Sequence, residues 1–220
     1  MKLAQLLGVR PGITAVIGSG GKTSLLRTLA GELDGRVLLC TTTHIYPFSP
    51  WPLLTRNDPQ AIALALRDGP VCVGTPAPQG KLTAPGLPLD QLAALTDYLL
   101  VEADGSRGLP LKAHRPGEPV LPAGANPVIC VVGAGGFGQP IRQAAHRPER
   151  FAALAGVTPD APATPALVGR VLRAEGLADL VFVNAAETPQ RLAGARELAS
   201  VLPWPTAAGS LRRGVWQALP

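Results

Sequence analysis

A short glycine-rich segment with one lysine and several hydroxyl residues has the composition of a phosphate-binding loop. Its residues are Gly18, Ser19, Gly20, Gly21, Lys22, Thr23 and Ser24. Glycines let the backbone turn tightly and point its N–H groups toward phosphate oxygens. In such a loop the lysine reaches the outer phosphates and the threonine hydroxyl binds Mg²⁺. The segment therefore predicts binding of ATP or GTP with Mg²⁺, with Lys22 in a catalytic role and Thr23 as a metal ligand.

The residues on both sides of this loop have the patterns of a strand and a helix. The run 13–17 is mostly apolar, and apolar residues then recur at helical spacing at Leu25, Leu26, Leu29 and Ala30. A helix N-terminus adds partial positive charge beside a bound phosphate. The common eight-residue motif has a glycine five positions before Gly21, where this chain has Val16. The pattern thus indicates a shortened phosphate loop.

A largely apolar strand that ends in two acids is the second candidate part of the site. Residues 98–101 form the strand, and Glu102 and Asp104 follow. Such a carboxylate can hold the water shell of Mg²⁺ or orient an attacking water. Because residues two apart on a strand face the same side, we expect both acids to lie together, with a cation or basic side chains between them. Both are candidate catalytic and metal-binding residues; solvated charges at a surface strand end are the alternative.

Polar and basic residues follow two of the predicted strands. Thr42 and His44 come after a strand over residues 36–40, whose carboxyl end lies beside the phosphate loop in a parallel sheet. We expect Thr42 to bind the metal and His44 to bind substrate, unless this is only a polar strand end. Arg107 and Lys112 follow the acidic strand and could clamp an anionic substrate. Arg107 is also a candidate for stabilising charge on a transferred phosphoryl group.

Asn184 ends a further apolar run over residues 180–184. Guanine-specific nucleotide-binding proteins carry Asn-Lys-x-Asp at this place, whereas this chain reads Asn184-Ala185-Ala186-Glu187. We assign Asn184 to cofactor binding and leave the choice between adenine and guanine open.

The segment Gly133–Gly138 matches the dinucleotide-binding fingerprint in its letters. That motif requires a helix directly after it and then a strand ending in an acid about twenty residues on. Here Pro140 follows, and no strand precedes Asp160. A Rossmann-type oxidoreductase is therefore the weaker alternative.

The order of elements predicts an α/β chain with a P-loop NTPase-like three-layer fold, a mostly parallel sheet and helices on both faces. We expect one nucleotide-binding domain over residues 1–220. The prolines in residues 45–57 predict a loop without regular elements, and those in residues 110–127 predict a braced loop over the site. A short strand near Val201 and Leu202 is expected to finish the fold.

Composition restricts the classes of partner and compartment. The 220 residues carry a net charge of +5 without a run of lysine or arginine, and aromatic residues make up only 4%, so we expect no nucleic-acid partner. No apolar stretch suits a bilayer and no secretory leader is evident, so we expect a cytoplasmic protein without a membrane partner. The cysteines lie in or near apolar runs and predict buried, reduced thiols. They are Cys40, Cys72 and Cys130.

Three segments together resemble the YqeC-like family of selenium cofactor biosynthesis, or selenium-dependent molybdenum hydroxylase accessory, proteins. They are residues 16–24, residues 41–45 and residues 101–112, with residues 146–149 extending the match. The resemblance implies a nucleoside-triphosphate-dependent accessory protein whose partner is a selenium- or molybdenum-containing hydroxylase or its cofactor. An NTPase or phosphotransferase is the first interpretation, and a non-hydrolysing, nucleotide-regulated switch or chaperone is the second.

Overall fold

The computed structural model describes residues 1–220 as an α/β protein in which nine strands form one mostly parallel sheet flanked by helices. The strands are β1 (Gly12–Gly18), β2 (Val37–Thr41), β3 (Leu53–Leu54), β4 (Val71–Val73), β5 (Thr75–Ala77), β6 (Lys81–Thr83), β7 (Tyr98–Glu102), β8 (Leu111–Lys112), β9 (Val128–Gly133), β10 (Ala145–His146), β11 (Leu180–Asn184), β12 (Thr206–Ser210) and β13 (Val215–Ala218). The helices are α1 (Leu3–Leu6), α2 (Lys22–Glu32), α3 (Pro59–Ala65), α4 (Leu89–Leu95), α5 (Ile141–Ala144), α6 (Pro148–Ala155), α7 (Pro165–Glu175) and α8 (Pro189–Val201).

The first of two compact units comprises Met1–Val16, Thr23–Gly105 and Val120–Pro127. Its strands lie in the order β1-β7-β2-β4-β3, and each neighbouring pair is parallel. Both Val16 on β1 and Thr41 on β2 are in register with Glu102 on β7. The carboxyl ends of these three strands therefore meet at one edge of the sheet, which is where ligands bind in open α/β sheets.

The second compact unit comprises Ile17–Lys22, Ser106–Pro119 and Val128–Pro220. Here β9, β11 and β12 pair in parallel, and β13 pairs antiparallel with β12 at the edge. Asn184 at the end of β11 is in register with Gly133 at the end of β9. The strands β8 and β10 form a separate parallel pair.

The helix starts follow from a recurring pair of residue types. Asp58 accepts hydrogen bonds from the backbone N–H groups of the first turn of α3, and Thr164 and Thr188 do the same for α7 and α8. In each case a proline stands at the first helical position, where its missing N–H costs no hydrogen bond. The buried strands owe their form to continuous apolar runs: every residue of β2 and of β9 is buried, as is typical of parallel sheets covered on both faces.

Several elements differ from the predictions. The expected strand near Val201 and Leu202 is wrong, because α8 continues to Val201 and the strands β12 and β13 follow it. The segment 45–57 is not free of regular structure, since it contains β3. The strand before the acids ends at Glu102, so Asp104 lies beyond it and the argument that alternation puts both acids on one face does not apply. The segment 110–127 includes β8.

The three cysteines are buried and form no disulfide, as the apolar runs predicted. No helix of the chain combines the length and the apolar character that crossing a membrane would require.

Candidate functional site

The glycine loop turns through backbone conformations that favour glycine. Gly18 and Gly20 both have φ near +89°, and Gly21 has φ +136°. A Cβ on Gly20 would lie 2.6 Å from the Cα of Gly133 and 3.1 Å from the carbonyl oxygen of Pro110. Glycine is therefore required at this position by both the turn and the close approach of neighbouring backbone.

Two contacts fix Ser19 in the loop. Its backbone N–H donates to the carbonyl of Val131 at 2.8 Å, and its hydroxyl donates to the carbonyl of Leu109. The side chain of Ser19 is thus engaged with the segment that follows the acidic strand. Ser24, the last residue of the predicted loop, lies in the first turn of α2 and is exposed.

Lys22 begins α2 and is only 4% exposed. Its Nζ donates to the carbonyl of Gly18 at 2.8 Å and to the hydroxyl of Ser106 at 3.0 Å. The ammonium therefore lies over the loop that carries it, at the start of a helix, as a phosphate-binding lysine requires. Ser106 was not among the predicted site residues. Its only sequence signal is its place two residues after Asp104, and the contact with Lys22 depends on tertiary structure.

Thr23 and Glu102 lie together in the first compact unit. The hydroxyl of Thr23 donates to Oε2 of Glu102 at 2.9 Å, and Glu102 is buried. The hydroxyl of Thr41 donates to the backbone carbonyl of Glu102 at 2.7 Å, which holds the end of β7. A hydroxyl and a carboxylate are hard oxygen donors of the kind that Mg²⁺ prefers. The structure therefore brings these two predicted metal ligands into direct contact.

The other residues predicted around the metal lie in different settings. Asp104 is fully buried just beyond β7. The hydroxyl of Thr42 donates to the carbonyl of Val120 at 2.8 Å, so the structure engages it with the chain's own backbone. His44 is exposed. The backbone N–H of Thr42 donates to the backbone carbonyl of Glu102 at 3.1 Å, so Thr42 lies beside the end of β7 while its hydroxyl contacts Val120.

Arg107 and Lys112, the two predicted anion-binding residues, differ in exposure. Arg107 is exposed and has φ +52°, and no ion pair or hydrogen bond holds its guanidinium. Lys112 is buried, and its Nζ lies 3.5 Å from Oε2 of Glu118. Arg107 is thus accessible to a ligand, whereas Lys112 already faces a carboxylate.

Glu118 is the centre of a partly buried charge cluster that the sequence did not predict. Lys112, Arg115 and Arg147 each form an ion pair with its carboxylate. Burial alone would raise the pKa of Glu118, but the charges of Lys112, Arg147 and Arg115 outweigh it and hold that pKa below 4.5. Spacing alone could not reveal this cluster, because Arg147 comes from a distant part of the chain.

Asn184 connects the phosphate loop to the C-terminal part of the chain. Its Nδ2 donates to the carbonyl of Gly20 at 2.8 Å, and its Oδ1 accepts from the backbone N–H of Leu211 at 3.1 Å. The predicted cofactor-binding asparagine therefore lies against the loop.

The segment with the letters of the dinucleotide fingerprint does not have the structure that the fingerprint requires. Residues Ala134–Gly136 form a single 3-10 turn, and the next helix, α5, has only four residues. A Cβ on Gly133 would lie 3.0 Å from Pro110. No long helix follows the glycines, so the segment lacks the element that binds a pyrophosphate in the dinucleotide fold.

Comparisons with known proteins agree with the resemblance seen in the sequence. The family model described as "YqeC protein" matches residues 14–149, which include the glycine loop, the acidic strand and Lys112. A protein of Escherichia coli (strain K12), named "Uncharacterized protein YqeC", is 41% identical over 165 residues. The alignment covers 69% of this chain and 64% of that protein, so the chain spans less than two thirds of the relative's length.

Proposed function

We propose that this chain, which belongs to the YqeC family, binds a nucleoside triphosphate with Mg²⁺ and cleaves or transfers its terminal phosphoryl group. The observation that carries the proposal is the arrangement around the glycine loop. A strand leads into the loop, a helix leaves it, and the first two helical residues are Lys22 and Thr23. Backbone N–H groups, a helix N-terminus and an ammonium at one loop are the parts needed to bind a polyphosphate.

Each residue of the candidate site would have a separate role in the proposed reaction. Lys22 would exchange its contacts with Gly18 and Ser106 for phosphate oxygens, because an ammonium binds an anion more strongly than a neutral oxygen. Thr23 and Glu102 would hold Mg²⁺, which when bound neutralises charge on the outer phosphates. Asp104 would orient the attacking group, and Arg107 would stabilise charge that develops on the transferred phosphoryl group.

We further propose that this activity serves the maturation of selenium-dependent molybdenum hydroxylases, with the hydroxylase or its cofactor as partner. The support is the resemblance in residues 16–24, 41–45 and 101–112, all of which lie in the segment matched by the family model.

Equilibrium titration with Mg·ATP and Mg·GTP tests nucleotide binding. Wild-type protein should bind at least one of them, and Lys22→Ala should abolish binding while leaving the far-UV circular dichroism unchanged. Lys81→Ala, a lysine change on the strand β6, is the matched control and should bind as the wild type does. An affinity of Lys22→Ala within threefold of wild type would show that the loop does not bind phosphate.

A measurement of phosphate release then distinguishes an enzyme that consumes nucleotide from a protein that only binds it. An NTPase or phosphotransferase should consume nucleotide steadily with Mg²⁺, alone or with a hydroxylase partner or acceptor. A switch or chaperone should bind nucleotide and consume none in either condition.

A further inference from the structure

One residue at the end of β11 and one just after β12 lie against the phosphate loop. Asn184, the last residue of β11, donates to the carbonyl of Gly20 and accepts from the N–H of Leu211, which follows β12. A Cβ on Gly21 would lie 3.6 Å from Cδ1 of Leu211. If the phosphates of a nucleotide occupy the loop, the segments that contain Asn184 and Leu211 would therefore lie close to the remaining parts of that nucleotide.

Asn184 retains one donor toward such a ligand. A side-chain amide carries two N–H groups, and a single hydrogen bond, to Gly20, is made by Nδ2 within the chain. The oxygen of the amide is fixed by Leu211, which sets the orientation of the remaining N–H. Purines present an acceptor at N7 that such a donor can bind.

Glu187 lies three residues farther on and presents a fixed carboxylate. The hydroxyl of Ser210 donates to its Oε1 at 2.7 Å, and Nη1 of Arg191 lies 3.5 Å from its Oε2. The side chain is 14% exposed, so it is ordered by its neighbours and still accessible at one side. An ionised carboxylate offers about four acceptor positions; the Ser210 hydroxyl and the backbone N–H of Glu187 itself occupy two of them, and Arg191 lies at ion-pair distance, so some positions remain available.

The charge state of Glu187 follows from the same contacts. The hydrogen bond from Ser210, with the charges of Arg191 and Arg212 as further causes, lowers the pKa of Glu187 below 4.5. The group therefore acts only as an acceptor at neutral pH.

A fixed acceptor distinguishes the two common purines. Guanine carries adjacent N–H donors at N1 and N2, which match the two oxygens of a carboxylate. Adenine has a lone pair at N1 and no donor at position 2, so a carboxylate there meets an acceptor. A site built to bind N–H donors rejects the analogue that lacks them, because its buried polar groups are left without partners.

We propose that Glu187 determines base specificity and makes this a guanine-nucleotide site. The inference rests on the proposed nucleotide-binding function and names the class of nucleotide. Asn184 binds the purine ring while it holds the loop, and the carboxylate of Glu187 selects guanine.

Equilibrium binding of the Mg²⁺ complexes of guanosine, adenosine and xanthosine diphosphates tests this, because diphosphates avoid turnover during the measurement. Xanthine has a carbonyl where guanine has its 2-amino group. The amide of Glu187→Gln can donate to that carbonyl, which the carboxylate cannot do. Glu197→Gln makes the same charge change at an exposed position of α8 and is the matched control.

Wild type and Glu197→Gln should bind the guanosine diphosphate at least tenfold more tightly than the other two. Glu187→Gln should lose at least tenfold for the guanosine nucleotide and bind the xanthosine nucleotide more tightly than wild type does. Equal wild-type affinities for the guanosine and adenosine nucleotides overturn the inference and leave phosphate binding intact. An equal loss for all three nucleotides in Glu187→Gln overturns it as well. Absence of any binding to wild type overturns the proposed function and this inference together. If Glu187→Gln fails to fold, the wild-type affinity ratio alone decides.

Discussion

The hydroxyl of Thr23 lies 2.9 Å from Oε2 of Glu102, although 79 positions separate them in the chain. The contact joins the first turn of α2 to the carboxyl end of β7 within one compact unit. It brings a residue of the glycine loop and a residue of the acidic strand to one point. The glycine loop and the acidic strand, which are separate motifs in the sequence, are thus brought into contact by the tertiary fold.

Glu102→Gln should reduce turnover far more than nucleotide binding. The amide keeps the size of the side chain and removes the negative charge that would hold Mg²⁺, while the loop still supplies most of the ground-state affinity. We expect the catalytic rate to fall by about 10²-fold or more, with the nucleotide affinity changed by less than about tenfold. Glu32→Gln, a like change elsewhere in the same unit, should leave both unchanged. Normal turnover by Glu102→Gln would mean that this carboxylate is structural.

Arg107→Ala should lower the catalytic rate by ~10³-fold if the guanidinium stabilises charge on the transferred phosphoryl group, as an arginine in cis does. Since Arg107 is exposed and makes no ion pair, its loss should not change the melting temperature. Rate and melting curve are measured on the same sample, with Arg196→Ala, an exposed arginine of α8, as the control. A raised half-saturation concentration with an unchanged rate would indicate that Arg107 only binds an anionic substrate.

Glu118→Gln should destabilise the protein in a pH-dependent manner. The neighbouring charges lower the pKa of Glu118 in the folded protein, so its contribution to stability is present at neutral pH and is lost as the pH falls through that lowered pKa. Replacement leaves Lys112 and Arg147 facing a neutral amide, and we expect a cost of about 1–3 kcal/mol at pH 7. Denaturant unfolding of wild type and variant should therefore differ more at pH 7 than at pH 3. A difference that does not narrow at pH 3 would contradict the ionic role.

The thiols should react slowly in the folded protein. Burial raises the pKa of Cys40 and of Cys72, which lowers the fraction of reactive thiolate. A chromogenic disulfide reagent at pH 8 should label less than one thiol per chain within minutes, and all three after unfolding in guanidinium chloride. Rapid labelling of Cys40 in the native protein would show that the end of β2 is open to solvent.

Local sequence signals predicted much of the fold. The strand β11 has the bounds that its apolar run indicated, and the glycine loop lies between a strand and a helix as its flanking residues predicted. The strand β12 escaped prediction because its residues, Thr-Ala-Ala-Gly-Ser, have little preference for strands. It is a strand because its backbone pairs with β11 on one side and with β13 on the other.

The parts of the candidate site that lie in one short segment could be predicted from the sequence. The contacts between residues that are distant in the chain could not. Lys22 and Thr23 stand out from their spacing, since the glycine loop fixes both. The contacts of Ser106 with Lys22 and of Glu118 with Arg147 join residues that are 84 and 29 positions apart in the chain, so they depend on the tertiary fold. No local pattern in the sequence encodes them.

The close approach of Asn184 to the glycine loop restricts substitution at position 21 but not the replacement of Asn184 by a smaller residue. A Cβ at position 21 would collide with the amide of Asn184, and the φ of +136° at Gly21 disfavours every larger residue even when the amide is removed. Position 184, in contrast, can become smaller without any change at position 21. In a library that randomises both positions and is selected for folded protein, members should keep glycine at 21 whatever residue stands at 184, so no compensating pair should be recovered.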